Sequence, residues 1–240
     1  MKILLNERAL LRVSGSEAEL FLQNQLTNDI MLLNTSSVQL SAYCQHQGKI
    51  IGLFWLVRLD EDFLISLPSD LLQLVISRLK MFILMSDVII EDITMNYNQI
   101  GLINTEHENA FSINHNLSLL IETKNKKTDI NTNENYQWTK ACIDSFLPEV
   151  TKATSEKFVP QMLNLDEDEI GVNFSKGCYP GQEVVARLHY LGSANRRLFT
   201  FKSNQEMRVG DLLYCASSKT ALARGDRYKG SGIVVSKVKY

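Results

Sequence analysis

The sequence has few cysteines, and none are paired in a way that holds a metal or forms a redox site. Its four cysteines, Cys44, Cys142, Cys178 and Cys215, are widely separated, and no Cys-x-x-Cys pair occurs. This spacing excludes a zinc knuckle and a thioredoxin-type site. Cys44 and His46 lie two residues apart on a predicted strand and could face the same side, but two ligands do not form a metal site. We therefore predict no bound metal and reduced thiols, as in a cytoplasmic protein.

The sequence also lacks an excess of charge of either sign. It has 25 Lys and Arg residues against 27 Asp and Glu residues, which gives a formal net charge of -2. Such a balance supplies no general attraction to nucleic acid or to an anionic membrane. The basic residues at 124–127 and 196–197 could contact RNA locally, but they are more simply explained as solvated surface.

No segment has the character of a signal peptide or a membrane span. Glu7 interrupts the N-terminal apolar residues, and Arg78 with Lys80 interrupts the apolar segment 71–84, which is too short to cross a bilayer. The sequence also contains no G-x-G-x-x-G, Walker-type, G-x-S-x-G or H-E-x-x-H motif. These absences argue against nucleotide-dependent enzymes, triad hydrolases and zinc proteases. We predict a cytoplasmic monomer without membrane contact.

What is present is an alternation of strand and helix patterns in a chain of 240 residues, 45% of them hydrophobic. Ser16 is predicted to cap a first helix, with Glu19 returning a hydrogen bond, and a second helix follows Pro68. Apolar runs predict five strands around these helices, at residues 10–13, 38–44, 50–57, 63–67 and 88–93. Strand, helix, strands, helix, strand is the ferredoxin-like order.

The second half of the sequence has a less regular pattern. It predicts a strand pair at 99–103 and 117–122, a polar loop at 125–135 and a helix at 138–146, and short strand-like runs follow Arg197. The fold class is therefore predicted as α+β. We assign residues 1–123 to an N-terminal ferredoxin-like region, 124–195 to a second α+β region and 196–240 to a small antiparallel β module.

The segment 176–183, Lys-Gly-Cys-Tyr-Pro-Gly-Gln-Glu, combines a cysteine with a glycine-rich turn. Pro180 suits the first position of a helix, so that Cys178 is predicted to lie near unpaired backbone N–H groups at a helix N-terminus. These groups and Lys176 would favour the thiolate and make the thiol more nucleophilic, while the charge of Glu183 would oppose this effect. The structural alternative is a small buried cysteine in a turn that needs glycine.

This octapeptide resembles the signature of the YgfZ family, the folate-binding proteins related to the glycine-cleavage T-protein. Residues 158–166 before it, 184–187 and 190–192 after it, and 21–29 with 48–49 near the N-terminus are also similar to the family. The resemblance implies two ferredoxin-like portions and a C-terminal β-barrel, arranged as a ring around a central folate-binding channel. About 45 residues remain for the barrel, which is short for that module.

The resemblance also implies functional residues. Gln161 stands where the T-protein uses a glutamate to hold the pterin ring, and a side-chain amide can still pair with the amide-like edge of a pterin. On residue type alone, a hydrogen bond from Gln161 to backbone is an equal alternative. Lys49, Lys176 and Arg187 are candidate cations for the glutamate tail of folate. The implied cofactor-binding residues are Asn28, Lys49, Gln161, Asn164, Tyr179, Gly181, Gln182, Glu183 and Arg187, and the implied catalytic residues are Cys178 and Lys176.

Two differences from the T-protein argue against an aminomethyltransferase. Gly52 and Leu53 replace an acidic pair that includes the aspartate essential for methylene transfer, and Cys178 replaces an acidic residue. The first hypothesis is thus a tetrahydrofolate-dependent factor for the assembly or repair of Fe–S enzymes, including tRNA-thiolating enzymes, with direct tRNA contact left open. The alternatives are a folate-dependent one-carbon transferase and a scaffold that binds an Fe–S carrier protein without a cofactor.

Overall fold

The computed structural model describes residues 1–124, 135–192 and 194–201, together with the backbone of strands at 212–215, 218–224 and 232–237. The fold is α+β, as predicted, and all strand pairs within its three sheets are antiparallel. The predicted loop at 125–135 lies outside the described residues except for its last position. No helix of the described part has the length and apolar character needed to span a membrane.

The first sheet has five strands in the order β3-β4-β5-β2-β6. Their bounds are β2 Arg8–Ser14, β3 Gln39–Cys44, β4 Ile50–Leu59, β5 Asp62–Pro68 and β6 Ile89–Asp92. Helix α1 (Ala18–Gln25) follows β2, and helix α2 (Leu72–Lys80) follows β5. The predicted strand and helix order of this region is therefore confirmed.

One face of this sheet packs on the two helices. Alternate strand residues such as Leu11, Val13 and Ile65 contact the apolar faces of α1 and α2. The opposite face, which includes Leu10, Leu53 and Trp55, packs on the second half of the chain. Strand β4 is buried on both faces, which explains why its sequence is a continuous apolar run.

The second sheet has the order β1-β7-β9-β8. Its strands are β1 Lys2–Leu4, β7 Tyr97–Ile103, β8 Ala110–Ser112 and β9 Leu117–Thr123. Helix α3 (Asn135–Asp144) packs on it where a Cβ at Gly101 would lie 2.4 Å from the ring of Trp138, so that only glycine permits this approach. The short strands β1 and β8 were not predicted.

The remaining elements are helix α4 (Gln182–Leu191) and strands β10 Arg196–Phe201, β11 Leu212–Cys215, β12 Ser218–Arg224 and β13 Gly232–Lys237. These strands form a sheet in the order β10-β13-β12-β11. Among the described strands, β10 and β11 are its unpaired edges, so this sheet is not closed. The barrel, the ring and the three domain boundaries remain predictions.

Two predicted helix starts are wrong. Glu17 precedes α1 without a side-chain cap, and Ser16 instead donates its hydroxyl to Asp87 at 2.7 Å. Glu19 pairs with Arg58 at 2.6 Å rather than returning to the helix end. Pro180 is not the first residue of α4, because Gly181 in a left-handed conformation precedes Gln182.

Candidate functional site

The segment that leads into Cys178 is joined to the chain that follows α1. The amide of Asn173 donates to the carbonyl of Thr27 at 3.0 Å, and the hydroxyl of Thr27 donates to the carbonyl of Gly171 at 2.6 Å. The side-chain amide of Asn28 donates to the carbonyl of Ile170 at 3.2 Å. These bonds join the family-like segment 21–29 to the residues that precede the octapeptide, about 145 positions later in the sequence.

Lys176 completes this junction with its side chain. Its buried ammonium donates to three backbone carbonyls, those of Gln23 and Leu26 at 2.6 Å and that of Asn28 at 2.9 Å. Burial lowers the pKa of Lys176 to about 8, and the charge of Asp29 offsets part of this effect. The ammonium thus lies on the end of α1, with all three of its N–H donors in use. This placement does not support the predicted action of Lys176 on the thiol.

The segment that follows Cys178 is held by a close backbone contact. Gly181 has a φ of 82°, and a Cβ there would lie 2.4 Å from the carbonyl oxygen of Gln45 and 2.7 Å from the Cα of Gly48. Gly48 also has a positive φ, of 74°, and faces the side chain of Val184. Both positions therefore require glycine, and the turn between β3 and β4 lies against the start of α4.

Cys178 itself lies between these two attachments. Its side chain is exposed, and it makes no hydrogen bond with the described residues. The structural alternative of a buried cysteine is therefore wrong. Next to it, Tyr179 is buried, which raises the pKa of its hydroxyl, and the Lys176 ammonium lies 5.4 Å from the centre of its ring. The loop thus presents one thiol while the neighbouring aromatic ring packs inward.

The side chains of Gln161 and Asn164, two of the predicted cofactor residues, bind backbone groups of the fold. The Gln161 side-chain amide donates to the carbonyl of Val185 at 2.8 Å, which is the backbone alternative considered above. Its Oε1 is buried and has no hydrogen-bond partner among the described residues. Asn164 is left-handed, and its side chain pairs with both backbone groups of Leu198. Neither residue presents its full polar end to a ligand.

The other predicted residues lie in different environments. Asn28 is buried, and its amide also donates to the carbonyl of Leu40 at 2.9 Å. Glu183 and Arg187 form an exposed ion pair along α4, a geometry that contributes little stability. Gln182 is half-buried, and Lys49 is exposed. Of the pair considered for metal binding, Cys44 is buried, which raises the pKa of its thiol, whereas His46 is exposed.

A cavity that was not predicted lies between the first sheet and α3. It has a volume of about 90 Å³, and its walls include Arg8, Trp55, Trp138, Cys142 and Glu149. The rings of Trp55 and Trp138 meet edge to face, with centroids 5.9 Å apart. Both rings line the cavity, which we therefore call the tryptophan cavity.

Arg8 fixes the wall of the tryptophan cavity. Its guanidinium lies 3.9 Å from the ring centre of Trp55, donates twice to Ser66 at 2.7 and 2.9 Å, and forms an ion pair with Glu149. Arg8 is buried, whereas the side chain of Glu149 is 29% exposed. The arrangement gives a rigid aromatic face beside a carboxylate that water can still reach.

A second cavity, of about 220 Å³, shares Trp55 and Leu147 with the first. Its lining is mostly apolar but includes Gln39, whose Oε1 is buried without a hydrogen-bond partner among the described residues. None of the predicted site residues lines either cavity. In the sequence, the features that could have indicated the first cavity are Trp55 and Trp138, the chain's two tryptophans, and Arg8, which begins an apolar strand.

Comparisons with known proteins identify relatives of this chain by sequence and by fold. No family model matches the chain. An uncharacterized protein of Haemophilus influenzae is 34% identical over 218 residues, covering 87% of this chain and 76% of that protein. The "tRNA-modifying protein YgfZ" of Colwellia psychrerythraea is 30% identical over 233 residues, covering 84% and 71%. The protein of the same name from Klebsiella pneumoniae is 28% identical over 269 residues, covering 98% and 80%.

Among solved structures, the glycine cleavage system aminomethyltransferase T from Bartonella henselae is similar, with a TM-score of 0.70. The match covers 98% of this chain and 78% of that protein at 12% sequence identity, which shows a shared fold and no more. The sequence relatives are more specific, because they share the name YgfZ and match most of their own length and most of this chain. The chain therefore belongs to the YgfZ family.

Proposed function

We propose that this chain binds tetrahydrofolate or a derivative and supports the assembly or repair of Fe–S enzymes, including those that thiolate tRNA, through the thiol of Cys178. The observation that carries this proposal is the contrast within the octapeptide. Lys176, Tyr179 and Gly181 have packing or hydrogen-bonding roles, whereas Cys178 is exposed and forms no hydrogen bond within residues 1–124, 135–192 and 194–201. A thiol presented in this way is available for reaction.

The tryptophan cavity is the proposed folate site. Trp55 and Trp138 offer aromatic faces for a pterin ring. A pterin carries N–H donors along one edge. The carboxylate of Glu149 and the buried Oε1 of Gln39 in the adjoining cavity, which has no hydrogen-bond partner in the described part of the chain, are acceptors suited to them. Bound tetrahydrofolate would supply a carrier for a one-carbon unit. The residues around Trp55 would bind and orient it and exclude water.

Aminomethyl transfer is not part of the proposal. Leu53 is buried in β4, and the hydrogen that replaces a side chain at Gly52 faces the ring of Phe54, where a Cβ would approach to 2.7 Å. These two positions therefore offer no carboxylate to position a reacting amine. A one-carbon transferase with another substrate is the second candidate, and a scaffold without a cofactor is the third.

Intrinsic fluorescence provides a direct test of folate binding. The chain's two tryptophans both line the tryptophan cavity. Titration with tetrahydrofolate should therefore quench the emission with a saturable curve, and Glu149→Gln should weaken the binding. Linear quenching without saturation would support the scaffold. Turnover of methylene-tetrahydrofolate would support the transferase.

Complementation tests the thiol. Cys178→Ala should fold and bind folate like the parent protein, because the replaced side chain is exposed and such a side chain adds little stability. It should nevertheless fail to rescue Fe–S enzyme activity in a strain that lacks the gene. Ser175→Ala, which changes another exposed side chain of the same loop, is the matched control and should rescue fully. Full rescue by Cys178→Ala would remove this thiol from the mechanism.

A further inference from the structure

Helix α1 ends without a cation of its own. The last turn of an α-helix leaves carbonyl oxygens without intrahelical partners, and a basic side chain near this end is favourable. The last turn of α1 has no basic residue. Lys176, which lies 153 positions beyond Gln23 in the sequence, supplies the missing cation to Gln23, Leu26 and Asn28.

The main chain of Lys176 is fixed together with its side chain. Its amide donates to the Oδ1 of Asn173 at 2.9 Å, and the amide of Asn173 donates to the carbonyl of Thr27 at 3.0 Å. The residue two positions before Cys178 is thus attached to the end of α1 by two independent routes. Beyond it, a Cβ at Gly177 would find no atom within 4 Å, and the carbonyl of Gly177 accepts a long hydrogen bond, of 3.5 Å, from the side chain of Gln182.

We infer that Lys176 is a positioning residue, whose ammonium holds the loop of Cys178 on the carbonyl end of α1. This inference rests on the proposed function of Cys178. It assigns to Lys176 a role that differs from activation of the thiol, because its three N–H groups are directed to carbonyl oxygens. In this arrangement α1 fixes the location of Cys178, and residues 177–178 remain open to a partner molecule.

Hydrogen exchange of Lys176→Ala tests the attachment. This variant keeps the Cβ and lacks the propylammonium portion of the side chain, so that n-propylammonium can occupy the vacated space. We expect the amides of residues 171–180, apart from Pro180, which has no N–H group, to exchange at least tenfold faster than in the parent protein. Added n-propylammonium should restore slow exchange, whereas n-propanol at the same concentration should not. Lys157→Met, which changes an exposed lysine, should exchange like the parent.

Two results would overturn the inference. One is unchanged exchange in residues 171–180, and the other is acceleration spread evenly over the five-stranded sheet, which would indicate general destabilisation. Complementation separates this inference from the proposed function. Lys176→Met should fail to complement while retaining saturable folate quenching. If Cys178→Ala fails and Lys176→Met complements fully, the positioning role is wrong and the proposed function stands. If Cys178→Ala complements fully, the proposed function is wrong, whatever the exchange data show.

Discussion

Gly177 and Gly181 lie four residues apart in one motif, yet their surroundings differ completely. A Cβ at Gly181 would collide with backbone atoms of Gln45 and Gly48, and the residue has a positive φ, whereas a Cβ at Gly177 meets nothing. We expect Gly181→Ala to lower the free energy of unfolding by roughly 2–4 kcal/mol and Gly177→Ala to change it by less than about 0.5 kcal/mol. Urea denaturation measures both. Equal effects would mean that the close contact between the two turns is absent in solution.

Tyr43 provides a test at alkaline pH. Burial raises the pKa of its hydroxyl to about 12, while the positive charge of Arg78 acts in the opposite direction. The folded state therefore keeps a proton that the unfolded chain releases above pH 10, so that stability is present below pH 10 and is lost as the pH rises toward 12.

The measurement compares Tyr43→Phe with the parent protein in urea at several pH values. The variant lacks the titrating group. Its free energy of unfolding should therefore rise relative to that of the parent protein by up to about 1.4 kcal/mol per pH unit between pH 10 and 12. A difference that stays constant over this range would show that the hydroxyl ionises equally in both states.

At the scale of elements, periodic patterns identified the longer helices and strands. The apolar runs of β2 to β5 and the apolar stripe of α1 were sufficient, because their side chains fill the cores on the two faces of the first sheet. Strands β1 and β8 were missed, because three residues are too few to show a period and each is stabilised by its neighbours in the second sheet. The predicted N-cap at Ser16 was wrong, because the amide and the hydroxyl of Ser16 both donate to the carboxylate of Asp87, a residue distant in sequence.

The candidate site was predicted only where a side chain shows its role in the sequence. The motif indicated a functional cysteine, whereas the exposure of Cys178 and the backbone contact that requires glycine at 181 are seen in the structure. The role of Lys176 could not be predicted, because its acceptors are backbone carbonyls, which every residue possesses. The tryptophan cavity was missed because Arg8, Trp55 and Glu149 meet only through the packing of separate elements.

At the scale of the whole molecule, Arg8 connects the first sheet to the segment after α3. Arg8→Met leaves Glu149 and the carbonyl of Ser66 without this donor, and we expect a loss of roughly 2–4 kcal/mol in the free energy of unfolding. Arg12, on the same strand, pairs with Asp62 at the surface and is 44% exposed. Arg12→Met should therefore cost less than about 1 kcal/mol. Similar losses for both variants in thermal or urea unfolding would contradict a connecting role for Arg8.

The same two variants, Arg8→Met and Arg12→Met, also test whether Arg8 affects ligand binding. Because Arg8 covers one face of Trp55, Arg8→Met should also change the fluorescence quenching by tetrahydrofolate. Arg12→Met should leave it unaltered. The similarity in fold to an aminomethyltransferase does not decide this outcome, because unrelated chemistries share folds and the residues of the cavity set the ligand.

The junction between α1 and Lys176 also bears on how the protein is made. Its contacts join residues about 150 positions apart in the sequence. Contacts of such long range form late in folding, because closing so large a loop is entropically costly. While the chain is being translated, α1 and most of the first sheet leave the ribosome long before residue 176 does. The nascent N-terminal segment therefore carries a helix whose terminal carbonyls are hydrated, and Cys178 takes its position only after residue 176 has left the ribosome.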